Sequence, residues 1–142
     1  MNSLLHNLSN YHTEKLQIIQ NHAASVVKKC KKFDHITQTL IDLHWLPVKF
    51  RLQYKLVILV YKCLYSDGPA YLSSLLEEYH PSQNAGSTKA RLYEPFVHKR
   101  CGERAFSVAG PKLWNALPES LRKSNSFDVY KKSLKPHFLS GL

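Results

Sequence analysis

The side chains of this chain whose chemistry is easiest to name are positively charged and fall into two groups. The first group lies near the end of a predicted helix and comprises Lys28, Lys29, Lys31 and Lys32. The second forms a ridge on one face of a later predicted helix and comprises Arg51, Lys55 and Lys62. Such clusters neutralise phosphate groups, so both are candidate contacts for a nucleic-acid backbone. Solvated helix surface remains the alternative interpretation of both groups.

The overall charge points in the same direction. Twenty Lys and Arg residues against ten Asp and Glu residues give a formal net charge of +10. A charge of this size favours a polyanionic partner, such as nucleic acid or an anionic membrane surface. Aromatic residues lie between the basic ones and are able to stack on bases, namely Trp45, Tyr54, Tyr61, Tyr65 and Trp114. Their helical spacing is nevertheless more typical of core residues.

Patterns for catalysis and metal binding are sparse. His98 and Cys101 form an HxxC pair, but a structural zinc site usually shows a second ligand pair, and none follows. The adjacent Glu77 and Glu78 fit a solvated helix edge better than a cradle for two divalent ions. No phosphate-binding glycine loop, GxSxG or HExxH occurs. We therefore expect neither free-standing catalysis nor a cofactor, and a small metal-dependent enzyme using His98 and Cys101 is the weakest hypothesis.

Cysteine usage and hydropathy bear on the compartment. Cys30, Cys63 and Cys101 lie far apart without a CxxC, which favours a reducing, intracellular environment over a disulfide framework. Polar residues interrupt the apolar residues near the start, so no signal peptide is expected. The longest uncharged apolar run is too short to span a bilayer. The sequence does not distinguish nucleus from cytoplasm.

The element that must position the basic ridge is the apolar stretch from Val48 to Tyr65. Its first residues alternate apolar and polar, as in a half-buried strand. The apolar character continues well beyond the usual length of a strand, and Pro47 suits the start of a helix. We predict a helix at about residues 47–65 that is apolar on nearly all sides and therefore central and buried.

The whole chain, residues 1–142, predicts one small, mainly α domain around this helix. A first amphipathic helix begins near Thr13, and a short helix follows at about 37–44. Gly68, in a left-handed conformation, ends the central helix, and another short helix covers about 70–78. Residues 80–90 have the composition of a loop. The apolar stripe of the first helix comprises Leu16, Ile19, Ala23, Val26 and Cys30.

The last third of the chain predicts shorter elements. One or two short strands lie around Pro95, within residues 91–100. The segment that follows is divided into short helical pieces by Gly102, Gly110, Pro111 and Pro118. A final amphipathic helix begins at about Ser126, and Pro136 should end or kink it.

Four segments carry a resemblance to a known family. They are LQIIQNHAASVV, FDHITQTLIDLHWLPVKFRLQYKLVILVYKCLY, GPAYLSSLL and GERAFSVAGPKLWNALPESLR. In this order and spacing they resemble the C-terminal region of the reverse transcriptase of LINE-type, non-long-terminal-repeat retrotransposons of the jockey-like group. The resemblance covers roughly residues 3–139. Its most specific parts are LHWLPV, VYKCL and RAFSVAGPKLWNALP.

The resemblance implies a location after the polymerase palm. Residues 1–33 would correspond to the end of the thumb, 34–79 to central helices, 80–90 to a flexible loop and 91–142 to a C-terminal helical part. The catalytic aspartate pair and the endonuclease of the family lie upstream of this region, so the resemblance implies no catalytic residue here. This chain departs from the family pattern at Ser25, Gln38 and Pro136, as expected of a decayed or truncated copy with its own start at Met1.

Two functions follow from the sequence. The first is a non-catalytic remnant of a retrotransposon reverse transcriptase, which would support the thumb and contact template RNA or an RNA:DNA hybrid in the full polymerase. Its partners would be that nucleic acid and the palm and thumb of the parent enzyme, with no membrane and no small-molecule substrate. The alternative is an independent helical protein-interaction module with no nucleic-acid role.

Overall fold

The secondary structure of the chain is mainly helical, as predicted. The computed structural model describes residues 10–31, 34–80, 91–99, 102–124 and 126–140. The helices are α1 (Asn10–Lys28), α2 (Ile36–Asp42), α3 (Val48–Tyr65), α4 (Ala70–Ser73), α5 (Phe106–Ala116), α6 (Glu119–Arg122) and α7 (Phe127–Leu139), with a 3-10 turn at Gly102–Arg104. Relative to the predictions, Thr13 lies inside α1, and α2 and α4 end earlier.

Helix α3 is the centre of the fold, which confirms the prediction of a central buried helix. Helices α1, α4, α5 and α7 all pack against it. Leu56 is only 2% exposed, and Val57 and Val60 are fully buried. The alternating pattern at the start of α3 does not produce a strand. A helix that buries residues four apart removes more apolar surface from water than a half-buried strand of the same residues would.

Three helices contribute to an aromatic core. Trp114 of α5 and Tyr130 of α7 are fully buried, and the Tyr61 ring of α3 stacks on Tyr130 with 4.3 Å between centroids. The Tyr61 hydroxyl donates to the Ser124 carbonyl oxygen over 3.0 Å. The Tyr130 hydroxyl is buried without a hydrogen-bond partner among the described residues. Burial is the main cause that raises the pKa of Tyr130, and the neighbouring tyrosines raise it further. This phenol therefore stays neutral.

Gly110 and Pro111 lie inside α5, so the prediction that they divide this segment is wrong. A Cβ atom at Gly110 would lie 3.0 Å from Cγ2 of Val60, which shows how closely α5 approaches α3. Pro111 is fully buried, and its packing offsets the backbone hydrogen bond that proline cannot donate. Pro118 does separate two helices, since it precedes the first residue of α6.

Helix α7 continues through Pro136, so this proline does not end the helix, which was one of the two predicted outcomes. Proline lacks the N–H that would bond one turn back. The helix persists because Leu134 is fully buried and Phe138 packs against the core, on either side of Pro136. The Ser140 N–H then donates to the Pro136 carbonyl over 2.8 Å and completes the last turn.

In the described part of residues 91–99, the predicted β structure is limited to one isolated antiparallel bridge between Glu78 and Leu92. The other edge of Leu92 is occupied by the Asn115 side chain of α5. Its Oδ1 accepts the Leu92 N–H over 3.0 Å, and its Nδ2 donates to the Leu92 carbonyl over 2.8 Å. Because this amide replaces a neighbouring strand, Leu92 needs no further strand to satisfy its backbone. Of the predicted loop at 80–90, only His80 lies within the described residues.

Helices α1 and α2 both end on a residue in the left-handed conformation. Lys29 has φ of 51° and His44 has φ of 54°. After α1, the Cys30 N–H bonds the Ser25 carbonyl over 3.0 Å. After α2, the Trp45 N–H bonds the Leu40 carbonyl over 2.8 Å. Both are Schellman-type ends in which glycine would be the usual left-handed residue.

Replacing Lys29 by glycine is therefore expected to stabilise the chain. The change removes the Cβ that makes a left-handed φ costly, and the gain exceeds the added freedom of the unfolded chain by about 0.5 to 1 kcal/mol. Urea unfolding measures the difference. Lys31→Gly is the control, because it removes the same charge nearby and is expected to lower stability slightly. A loss of stability in Lys29→Gly would contradict the left-handed helix end.

Candidate nucleic-acid interface

The predicted lysine cluster lies at the C-terminal end of α1. Lys28, Lys29 and Lys31 are exposed, and Lys32 lies outside the described residues. Lys28 Nζ lies 3.3 Å from Oδ2 of Asp42 at the end of α2. Two hydrogen bonds lower the pKa of the Asp42 carboxyl group. The larger contribution comes from Gln38 and the smaller from Lys28. This end of the basic surface is therefore partly neutralised by a carboxylate of the chain itself.

The predicted ridge on α3 is exposed along its length. Arg51, Lys55 and Lys62 project from one face of the helix, over a rise of about 17 Å. At the far end, Lys62 Nζ lies 5.2 Å from the centre of the Phe127 ring. The structure thus keeps the three cations on one face but separates Lys62 from Lys55 by about two helical turns and from Arg51 by about three.

Arg51 and Lys55 line a cleft of about 320 Å³ between α3, α1, the α2–α3 connection and α7. We call it the α3 cleft. Its lining residues are Gln20, His44, Trp45, Leu46, Arg51, Tyr54, Lys55 and Lys135. None of these residues is acidic. Burial raises the pKa of the Tyr54 phenol, so the cleft wall carries positive charge without a compensating anion.

Lys135 is the functional candidate that sequence reasoning missed. It belongs to α7, and it faces the cleft only because α7 packs against α3. Nothing in the local sequence distinguishes it from the exposed Lys131 and Lys132 on the same helix. The half-buried position of Lys135 depends on a contact between residues about 80 positions apart, which periodicity does not reveal.

Two glutamines of α1 hold the chain that forms the cleft. Gln17 Oε1 accepts the Val48 N–H over 2.8 Å, and Gln20 Nε2 donates to the Leu46 carbonyl over 2.9 Å. Pro47 at the N-cap of α3 has no side-chain oxygen, so Gln17 satisfies a helix N–H that is otherwise left unpaired. Sequence reasoning missed this cap, because its acceptor comes from another helix.

Helix α1 packs with the opposite face from the one its apolar periodicity indicates. Ala24 is fully buried, and Gln17 and Gln20 are half-buried, whereas Ile19 is 64% and Val26 77% exposed. We call the exposed set of Leu16, Ile19, Ala23 and Val26 the α1 stripe. Cys30, predicted on the same stripe, is half-buried with its Sγ 3.3 Å from Oγ1 of Thr39.

A second cleft of about 640 Å³ lies at the other end of α3. It is lined by Tyr61, Tyr65, Ser66, Arg122, Lys123, Ser124 and Phe127. Arg122 is buried, and its Nε donates to the Leu117 carbonyl over 3.1 Å. Lys123 pairs with Glu119 one turn earlier. Both cations already have partners within the chain, so this cleft is the less suitable of the two for an anion.

The remaining candidates do not assemble into a centre within the described residues. No group of three His, Cys, Asp or Glu side chains converges there as a metal site. His98 is exposed and its ring lies edge-on to Phe96 at 4.8 Å, whereas Cys101 lies outside the described residues. Glu77 and Glu78 are exposed beside the bridge to Leu92. Nor does the described part of the chain contain a helix long and apolar enough to cross a membrane.

Searches against protein-family models, curated proteins and solved structures found no significant match to this chain.

Proposed function

We propose that this chain is a non-catalytic region of a retrotransposon reverse transcriptase, which contacts template RNA or an RNA:DNA hybrid through its basic surface. The observation that carries the proposal is the α3 cleft, where cations from α3 and α7 face one space that no acidic residue lines. The net charge of +10 would draw a polyanion to this surface. Phosphate groups are the ligands best matched to several converging cations.

The sequence resemblance supports the same proposal through the parts it covers. LHWLPV contributes three residues of the cleft lining, His44, Trp45 and Leu46. RAFSVAGPKLWNALP supplies the buried Trp114 and the Asn115 amide that pairs with Leu92. On this proposal the chain binds nucleic acid and supports the thumb, while any polymerisation belongs to a palm elsewhere in the parent enzyme.

The α1 stripe favours a second candidate function, a helical module that binds protein. An apolar face of this kind on a surface helix marks a contact site. Exposed Lys15, Lys28 and Lys29 lie on the same helix or at its end, so the occupant would be an amphipathic helix with acidic flanks.

The salt dependence of binding tests the first function. Single-stranded RNA is expected to bind at micromolar affinity or weaker, with log K falling against log salt by about 0.7 for each neutralised phosphate. With about four contacts the slope would be roughly −3. Replacing Lys28, Lys29, Arg51 and Lys55 together by alanine is expected to flatten this slope while the circular dichroism spectrum stays unchanged.

The matched control replaces Lys49, Lys112, Lys131 and Lys132 by alanine. All four are exposed, so this variant loses the same charge from other surfaces. It is expected to keep most of the slope and affinity. Equal effects of the two variants would mean that net charge alone attracts the RNA. Absence of binding at low salt would reject the first function and leave the protein-binding module as the leading one.

A further inference from the structure

The α3 cleft combines its cations with partly exposed aromatic rings. Trp45 and Tyr54 are half-buried and line the cleft beside Arg51 and Lys55. The other tryptophan, Trp114, is fully buried in the core. Part of each ring at the cleft is therefore accessible to a ligand, whereas sequence spacing alone assigns these aromatics to the core.

The backbone that carries Trp45 is held on both sides. Its N–H donates to the Leu40 carbonyl over 2.8 Å, as part of the helix end at the left-handed His44. The next residue, Leu46, accepts the Gln20 amide over 2.9 Å. Because this backbone is already ordered, placing the Trp45 ring against a planar ligand requires no ordering of the chain that carries it.

The cations lie on two different helices around these rings. Arg51 and Lys55 are one turn apart on α3, and Lys135 reaches the same cleft from α7. A planar aromatic ligand linked to phosphate would satisfy both features at once. A nucleotide is such a ligand, since its base stacks on aromatic rings and its phosphates bind cations.

We propose that the α3 cleft binds one unpaired nucleotide of a single-stranded nucleic acid, with the base against Trp45 and Tyr54 and the adjoining phosphates at Arg51, Lys55 and Lys135. The proposal rests on the proposed function and deepens it, because it replaces a surface that recognises phosphates alone with one that also engages a base. A base inside a duplex is stacked on its neighbours, so the cleft selects single strands over duplexes.

The test compares two strands of equal length and charge, a short oligo(rA) and the corresponding abasic strand. Oligo(rA) is expected to bind about tenfold more tightly to the wild-type chain, an increment typical of one stacked base. Binding of oligo(rA) is also expected to quench the fluorescence of Trp45, while the buried Trp114 provides an unquenched background. Binding of both strands with equal affinity and without quenching would overturn the base contact and leave the proposed function intact. Binding of neither strand would reject the proposed function itself.

Variants separate the base contact from the phosphate contacts. Trp45→Leu is expected to abolish the preference for oligo(rA) and leave the salt slope unchanged. Trp45→Phe keeps an aromatic ring and is expected to retain most of the preference, which guards against a loss caused by misfolding of Trp45→Leu. Lys135→Ala is expected to weaken the binding of both strands equally and to reduce the slope by about 0.7. Lys131→Ala should do neither, because Lys131 is exposed one turn earlier on α7 and is not among the residues that line the cleft. An oligo(rA) preference that survives in Trp45→Leu would contradict the assignment.

Discussion

Replacing Leu56 by aspartate is expected to unfold the chain or remove most of its stability. Leu56 is 2% exposed on α3, the helix against which α1, α4, α5 and α7 pack. The substitution buries a carboxylate with no cationic partner and deletes a large apolar side chain. The expected cost is on the order of several kcal/mol, comparable to the whole stability of a small domain. Far-UV circular dichroism and urea unfolding measure it.

The neighbouring residue supplies the control. Lys55 is exposed, so Lys55→Ala is expected to change stability by less than about 0.5 kcal/mol. Leu56→Ala should lie between the two, at about 2 to 5 kcal/mol, because it leaves a cavity but buries no charge. If Leu56→Asp and Lys55→Ala melted at the same temperature, α3 would not be the central helix.

The sequence was sufficient to locate α3 and to predict its burial. The apolar residues at its start fit the spacing of a strand as well as that of a helix, and the length of the apolar run decided between the two. The apolar run from Val48 to Tyr65 is too long for a usual strand, and a helix apolar on most sides has to be buried. Both features are local. They needed no knowledge of what α3 contacts.

The face on which α1 packs could not be predicted in the same way. Periodicity locates the stripe of Leu16, Ile19 and Val26, but it does not show what covers that stripe. The buried face is instead defined by Gln17 and Gln20, whose amides satisfy backbone groups of the α2–α3 connection. Those partners lie 31 and 26 residues away in sequence, so local pattern contains no sign of them.

Proline rules failed for a related reason. Pro111 and Pro136 disfavour helix on local grounds, yet both lie inside helices whose neighbouring residues are buried against α3. Tertiary packing outweighed the local penalty. The same packing of α7 brings Lys135 to the α3 cleft, so the third cation of the candidate site also depends on contacts that the sequence does not display.

Gly68 was predicted to end α3 because glycine adopts the left-handed conformation easily. The structure gives a different reason for a glycine at this position. Left-handed φ values in the described residues belong to Lys29 and His44 and not to any glycine. Gly68 is required by close approach instead. A Cβ atom there would lie 2.6 Å from Cα and 2.7 Å from N of Cys63. The Gly68 N–H also donates to the Lys62 carbonyl over 3.1 Å, which keeps this backbone against the last turn of α3.

Gly68→Ala is therefore expected to destabilise the chain by about 1 to 3 kcal/mol, as overpacking against rigid backbone does. Gly102→Ala is the matched control, since its Cβ would meet the Val97 side chain at 3.3 Å and side chains move more readily than a central helix. Urea unfolding should show the larger loss for Gly68→Ala, and equal losses would contradict the close approach. Because Gly68 lies at the opposite end of α3 from the α3 cleft, RNA affinity measured well below the melting temperature should stay at the wild-type value.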